Sequence, residues 1–283
     1  MRSVLKKLEQ ARALDGVSDR LQALLQAVVQ PRAVRDALHG VWLGHPLHPV
    51  LVQLPVGAWL SAAVLDLVPG QERAATTLVA VGTAGALPAA AAGATDWSEL
   101  SADQRRVGLV HAAANTGALV LFAGSVAARL TGRHRLGRTL SFLGLGIAGG
   151  SAYLGGHLSY VQGAQMGHSA PEMRLVPEGW HAVADLAALP EGKPVVRHVG
   201  PVPVLVYREN GSVTVFLERC SHQLGPLCEG DVISEDGEAC VVCPWHGSTF
   251  RLRTGTVKHG PAANDLPALR VRVTGGLVEV SAP

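Results

Sequence analysis

Two hydropathy regimes divide the chain. Apolar residues run almost unbroken through four stretches, about 50–68, 76–95, 107–128 and 139–160. Each is near the roughly 20 residues a helix needs to cross the hydrocarbon of a bilayer. No Asp, Glu, Lys or Arg lies between Val107 and Ala128, nor between Thr139 and Val161. From Arg174 onward the pattern changes to short alternating runs: WHAVADL, PVVRHV, PVLVYR, SVTVFLE, ACVVC, ALRVRV and LVEVS. These are strand candidates, with Asn210-Gly211, Asp236-Gly237 and Gly275-Gly276 supplying turns between them. Ahead of the first apolar stretch, Leu21, Leu24, Leu25 and Val28 recur at helical spacing. Ser18 is placed to cap that helix and Pro31 to end it. The helix either packs on its own protein or lies along a membrane interface. The fold class expected is a membrane all-α four-helix bundle followed by an all-β domain. A polar helical region would occupy 1–44, the four-helix transmembrane domain 45–168 and the β domain 174–283.

Composition sharpens this division. The 283 residues are 48% hydrophobic, 16% charged and 4% aromatic, which excludes disorder and fibrous classes for the whole chain. A net charge of +2 gives no electrostatic footprint for nucleic acid. Gly85, Ala89 and Gly93, and Gly146 and Gly150, repeat at four-residue spacing, so membrane helices could approach closely there. A soluble Ala/Gly-rich bundle is the alternative, disfavoured by two charge-free stretches in succession. Four crossings put both termini on one side. Ten Lys/Arg on that side against five on the other favour a cytoplasmic placement. The opening MRSVLKKLEQARALDG lacks the pattern of a secretory signal, which points the same way.

The cysteines change the picture of the β domain. All four, Cys220, Cys228, Cys240 and Cys243, fall close together. Cys220-Ser-His222 and Cys243-Pro-Trp-His246 form C-x-H and C-x-x-H, with 20 residues between His222 and Cys243. Two thiolates and two imidazoles suit a structural zinc ion or an iron–sulfur cluster. The flanks RCSHQLGPLCEG and CVVCPWHGSTFRLRTGTVKHGPA, then LPALRVRV and LVEV, resemble the Rieske 2Fe-2S family, especially its soluble-ferredoxin type, over the last 110 or so residues. The resemblance implies a metal site of Cys220 and Cys243 on one iron and His222 and His246 on the other. It also implies that both imidazoles lie at the domain tip, where electrons leave. Rieske proteins of cytochrome bc complexes carry a disulfide and Ser and Tyr hydroxyls around the cluster. Here Gly225, Trp245, Ser248 and Phe250 stand at those positions, which implies a potential near the ferredoxin-like end of the range. Leu224 replaces a frequent Gly. Cys228 and Cys240 are expected to be reduced thiols packed near the cluster, with a disulfide between them as the alternative.

GHPLHPVLVQLPVG at 44–57, TDW at 95–97, HAAAN at 111–115 and YLGGHLSY at 153–160 resemble an uncharacterised family of four-helix bacterial membrane proteins, sometimes fused to a Rieske domain. The resemblance implies a multi-pass protein of a bacterial plasma membrane, with the lipid bilayer as a partner. His45, His48, His111 and His157 would converge on the membrane face that bears the β domain. Polar groups inside membrane helices are costly and often functional. His48, His111 and His157 could therefore bound a haem b or quinone site, with small residues such as Gly117, Gly149, Gly150, Gly155 and Gly156 leaving room; a metal is a further alternative. Equally, these histidines could simply tie helices together. Absence of C-x-x-C-H excludes c-type haem.

The function expected is that of a membrane-anchored electron-transfer protein, exchanging electrons between its cluster and a centre bounded by those histidines. An electron carrier or oxidoreductase subunit fits better than a self-contained enzyme, and the redox donor and acceptor are not specified by sequence. Alternatives are a redox sensor or assembly subunit with a plain anchor, or a ferredoxin-like component of an oxygenase or quinone-linked system. Val161–Arg174, about 14 residues, could span roughly 45–50 Å if extended as a mobile tether.

Overall fold

A computed structural model describes residues 2–283. The chain separates into two compact units: Met1–Pro31 with Pro46–Ala164, and Arg32–His45 with Gln165–Pro283. The N-terminal region read as one element over 1–44 is thus divided between them.

The helical unit holds α1 (Arg2–Glu9), α2 (Asp15–Val28), α4 (Leu47–Leu51), α5 (Gln53–Leu65), α6 (Glu72–Trp97), α7 (Ala102–Leu130) and α8 (His134–Tyr160). The first apolar stretch is two helices that meet at Val52, between Pro49 and Pro55, because proline cannot donate to the helical ladder. Three segments, Leu47–Leu65, Glu72–Trp97 and Ala102–Leu130, are long and apolar enough to cross a membrane. α8 has the length, 27 residues, but its glycines, serines and His157 lower its hydropathy. At the bundle centre the rings of Trp59 and Phe122 stack at 3.9 Å and 7°. Gly82 permits this, since a Cβ there would lie 2.6 Å from Trp59 Nε1.

Where α5 and α7 end, Arg129 and Asp66 are buried together, 3% and 4% exposed. Arg129 Nη1 and Nη2 donate to the two Asp66 oxygens at 2.8 and 2.5 Å, and its Nε to Ser125 Oγ at 3.0 Å. At the other end, α1 and α2 cap the α6–α7 turn. Arg106 pairs with Asp15 at 2.6 Å, Arg105 with Asp19 at 2.8 Å, and Gln22 Nε2 donates to the Ser98 carbonyl at 2.6 Å. α2 therefore begins a turn earlier than expected. Ser18 is not its cap but a buried residue inside it, accepting from Arg105 Nε at 3.2 Å. Of the predicted stripe, Leu25 packs near Trp97 and Leu100, while Leu21, Leu24 and Val28 are exposed.

The second unit is all-β apart from α3 (Arg32–His39) and short 3-10 turns, including Val41–Leu43. Among the described residues ten strands form three sheets, ordered β1-β10-β9, β2-β3-β4 and β5-β6-β7-β8. They are β1 (His181–Asp185), β2 (Val195–Val199), β3 (Val202–Glu209), β4 (Ser212–Leu217), β5 (Asp231–Glu235), β6 (Glu238–Val242), β7 (Thr249–Arg251), β8 (Val257–His259), β9 (Arg270–Thr274) and β10 (Leu277–Ser281). The middle sheet faces two cores, because successive side chains of a strand point to opposite faces. Val204, Val206, Val215 and Leu217 meet Val278 and Val280 in one core. Leu205, Tyr207 and Phe216 meet Phe250 and Leu252 in the other, which also contains Cys220 and Cys243. That second core supports the candidate site.

Within the segment joining the two units, some residues pack each in its own unit. Ala164 is buried beside Trp97 and Leu158, Ser169 is buried, and Met173 and Val176 pack into the first β core.

Candidate metal centre

Two loops carry the predicted ligands. The first leaves β4 and is closed by Cys220 N–H donating to the Gly225 carbonyl and Leu224 N–H to the Cys220 carbonyl. Leu224 sits at φ +59°, in the left-handed region, which explains why glycine would be at ease there. The β5–β6 hairpin fills most of the spacing to Cys243. The second loop then closes with Cys243 N–H on the Ser248 carbonyl and Gly247 N–H on the Cys243 carbonyl. A third loop, 260–264, clamps both: Ala262 N–H donates to Ser248 Oγ at 3.0 Å, and Ser221 Oγ donates to the Asn264 carbonyl at 2.6 Å.

The loops bring Cys220, His222, Cys243 and His246 together as two pairs. The thiols hydrogen-bond each other. This bond, with burial, pushes the Cys220 thiol up, while the same bond lowers Cys243 to about 7 against the opposing effect of its burial. Backbone N–H groups of His222 and Gln223 aim at Cys220, and those of Trp245 and His246 at Cys243, which favours thiolates at both. The imidazoles of His222 and His246 stand edge to face, centroids 5.1 Å apart. His222 is 4% exposed, and both its ring nitrogens are buried with no hydrogen-bond partner. Burial first, then His246, His39 and His168, lowers His222 to about 3, so it is neutral at physiological pH. A neutral imidazole with an unmet buried nitrogen is suited to a metal, since leaving that atom unpaired is costly. Among the described residues no group of three or more His, Cys, Asp or Glu could hold a single ion. The pairing suits a two-iron cluster. The expectation that both imidazoles lie at the surface needs correction: His222 is buried and His246 is half-buried, while Pro244 and Trp245 are exposed.

Gly225 and Trp245 are neighbours, as their shared position around the cluster implied. A Cβ on Gly225 would lie 3.2 Å from Trp245 Cγ and 2.7 Å from Cys243 Sγ. Phe250 is fully buried without a hydroxyl to offer. Cys228 is exposed in the turn after the first loop, Cys240 is buried in β6, and both are free thiols.

Of the four membrane histidines, His48, His111 and His157 are in the helical unit, each tied to protein, whereas His45 ends the segment that belongs to the β unit. His48 Nδ1 lies 2.8 Å from the Ala89 carbonyl, and His157 Nε2 lies 2.7 Å from Glu9 Oε1. His111 Nδ1 meets the Ser151 carbonyl at 2.8 Å and Ser151 Oγ at 2.9 Å, while its Nε2 meets Asn115 Nδ2 at 3.1 Å.

Sequence reasoning passed over α3. His39 is buried in the β unit, against Gly260 of the third loop. Asp36 anchors the segment through His259 Nδ1 at 2.7 Å and Gly260 N–H at 2.9 Å.

Residues 179–270 match the Rieske 2Fe-2S domain family, and residues 44–168 match a family described as predicted membrane protein (DUF2231). The anthranilate 1,2-dioxygenase ferredoxin subunit of Burkholderia cepacia is 33% identical over 102 residues, 36% of this chain and 91% of that one. The 3-phenylpropionate/cinnamic acid dioxygenase ferredoxin subunit of Escherichia coli (strain K12) is 31% identical over 98 residues, 35% of this chain and 89% of that one. Among solved structures, the ferredoxin of carbazole 1,9a-dioxygenase from Nocardioides aromaticivorans IC177 is 30% identical. It covers 38% of this chain and all of its own, with a TM-score of 0.34.

Proposed function

The chain belongs to the Rieske 2Fe-2S family through residues 179–270, and from that premise we propose that it is a membrane-anchored electron carrier with Cys220, His222, Cys243 and His246 as its ligands. The observation that carries this is the two-and-two pairing of buried thiols and imidazoles, with His222 lacking any other partner for its ring nitrogens. A bound cluster supplies one-electron oxidation and reduction. The protein's part is to hold the geometry. Cys220 and Cys243 would hold one iron as thiolates, supported by backbone N–H groups. His222 and His246 would hold the other, and the second β core buries the two cysteine sulfurs. Without a Tyr hydroxyl or disulfide at the tip, fewer donors stabilise the reduced state, so the potential lies near the ferredoxin-like end.

The relatives are ferredoxin subunits of dioxygenases. By analogy this chain passes single electrons between a redox donor and an acceptor of that kind, and is not itself the oxygenase. Its helical unit supplies the lipid anchor, with the β unit on the cytoplasmic side of a bacterial plasma membrane. His48, His111 and His157 act in this reading as helix ties, since each already has a protein partner.

Electron paramagnetic resonance of the reduced, detergent-extracted full chain tests the ligand set. His222→Ala and His246→Ala should abolish the Rieske signal, whereas Cys228→Ser and Cys240→Ser should keep it. Equal loss in the last two would overturn the assignment. An optical spectrum of the same sample should show the cluster and no haem bands.

A further inference from the structure

We infer that Arg32–His45 is a built-in cover over the His222 side of the cluster site, with His39 as its positioning residue, leaving the half-buried His246 as the edge through which electrons pass. The inference rests on the ligand reading above.

The segment precedes the first membrane helix in sequence, yet belongs to the β unit. Three sets of contacts hold it there. Asp36 accepts from His259 Nδ1 and from Gly260 N–H, one bond through each carboxylate oxygen. His259 Nε2 in turn meets Glu235 at 3.1 Å, and Arg32 reaches Glu235 at 3.6 Å. Charge-assisted bonds of this kind fix orientation as well as adding attraction. Beneath them, Val41 packs against the core that contains Cys220 and Cys243.

Gly260 sets how close the cover lies. A Cβ there would stand 3.1 Å from His39 Cδ2, 3.3 Å from His39 Cβ and 3.3 Å from Val41 Cγ2. Gly260 and Pro261 lead directly into Ala262, whose N–H donates to Ser248 in the second ligand loop. His39, 1% exposed, is therefore pressed onto the backbone of the loop that clamps the site. The same loop reaches the neighbour of His222, since Ser221 Oγ donates to the Asn264 carbonyl. By contrast Pro244, Trp245 and Gly247 around His246 are exposed. One imidazole is walled off from water while the other reaches it, which makes the site one-sided.

Two measurements on the full-length chain test the cover. Hydrogen exchange needs no cluster: backbone amides of 36–43 should be protected in the wild type and exchange about tenfold faster in Asp36→Ala, which loses two anchoring bonds. Pulsed electron paramagnetic resonance of the reduced protein in deuterium oxide then reads solvent near the cluster. His39→Ala and Asp36→Ala should both increase solvent deuterium coupling severalfold, whereas His39→Phe, which keeps an aromatic ring in place, should resemble the wild type. Unprotected amides in the wild type, or unchanged coupling in both Ala variants, would overturn the cover. Absence of any Rieske signal in the wild type would instead overturn the ligand reading.

Discussion

Gly225→Ala isolates the geometry of the candidate centre in one methyl group. Gly225 does not use a positive φ, so alanine costs little in backbone conformation and its effect is spatial. The added Cβ would lie 2.7 Å from Cys243 Sγ, whereas ordinary contact begins at 3.4 Å. The sulfur or the loop must therefore shift by about 0.7 Å, beyond the ~0.5 Å within which a working constellation must be held. Trp245 blocks the escape on the other side, with Cγ at 3.2 Å and Cδ2 at 3.3 Å. Overpacking of this kind costs about 1–3 kcal/mol, less than the roughly 5–15 kcal/mol that keeps a domain folded. The β unit should stay folded by circular dichroism, while iron content and the Rieske signal of the full chain fall to a small fraction of wild type. Gly247→Ala is the control. Gly247 needs φ +75° and has nothing within 4 Å of a Cβ, so alanine there should cost roughly 1–2 kcal/mol of stability without crowding either sulfur. Full iron occupancy with unchanged g-values in Gly225→Ala would refute the reasoning.

Asp66→Ala leaves the Arg129 guanidinium buried without its carboxylate, so it should destabilise the helical unit by about 3–5 kcal/mol in reversible unfolding, more than the paired replacement Asp66→Leu with Arg129→Met; equal losses would show that the pair is not the cause. The Cys228 thiol, raised to about 11 by burial and then by its hydrogen bond to Glu218, should alkylate slowly at neutral pH despite its exposure, with a rate still rising tenfold per pH unit at pH 9–10; a plateau at about 8.5 would contradict this. Glu235 is held below its ordinary 4.5 by the His259 hydrogen bond first, then by the Lys258 and Arg32 charges, with Asp36 facing the same imidazole. A depressed carboxylate stabilises fully above its unfolded value and loses that contribution as pH falls through the folded one. Amides of 32–45 should thus stay protected from neutral pH down to about 4.5 and lose protection only in stronger acid; loss between pH 7 and 5 would point to another group.

Features written in local spacing were legible from sequence. Asn210-Gly211, Asp236-Gly237 and Gly275-Gly276 all adopt paired positive φ values, as tight hairpins require, and the seven alternating runs coincide with strands. β5, β7 and β8 were not foreseen. β7 and β8 have three residues each, too few for a period of two to register, and β5 reads DVISE, with acids at both ends. Those strands are specified by pairing partners rather than by their own hydropathy. Longer range is harder still. Asp36 and His259 are 223 residues apart, and the sequence around Asp36 looks like any polar helix. Arg129 and Asp66 are 63 apart; Arg129 lies just beyond one apolar stretch and Asp66 inside another, and nothing in local spacing links them.

The membrane histidines show where the physics of cost stops short of chemistry. A polar ring among apolar helices must be satisfied, and that requirement alone makes it conspicuous. It does not say by what. In the helical unit the partners are ordinary ones, a carbonyl of α6 for His48 and a carbonyl and hydroxyl of α8 for His111. Small residues read as room for a macrocycle include one that makes room for an imidazole: a Cβ on Gly155 would stand 3.1 Å from His111 Cε1, and one on Gly93 2.7 Å from His48 Nδ1. Ser151 meets one nitrogen of His111 and Asn115 the other. His222 presents the opposite case, a buried ring with both nitrogens unmet. The half-buried His111 and the buried His222 thus differ in the property a ligand needs, and the proposed reading of one as a helix tie and the other as a metal ligand rests on that difference rather than on burial or polarity.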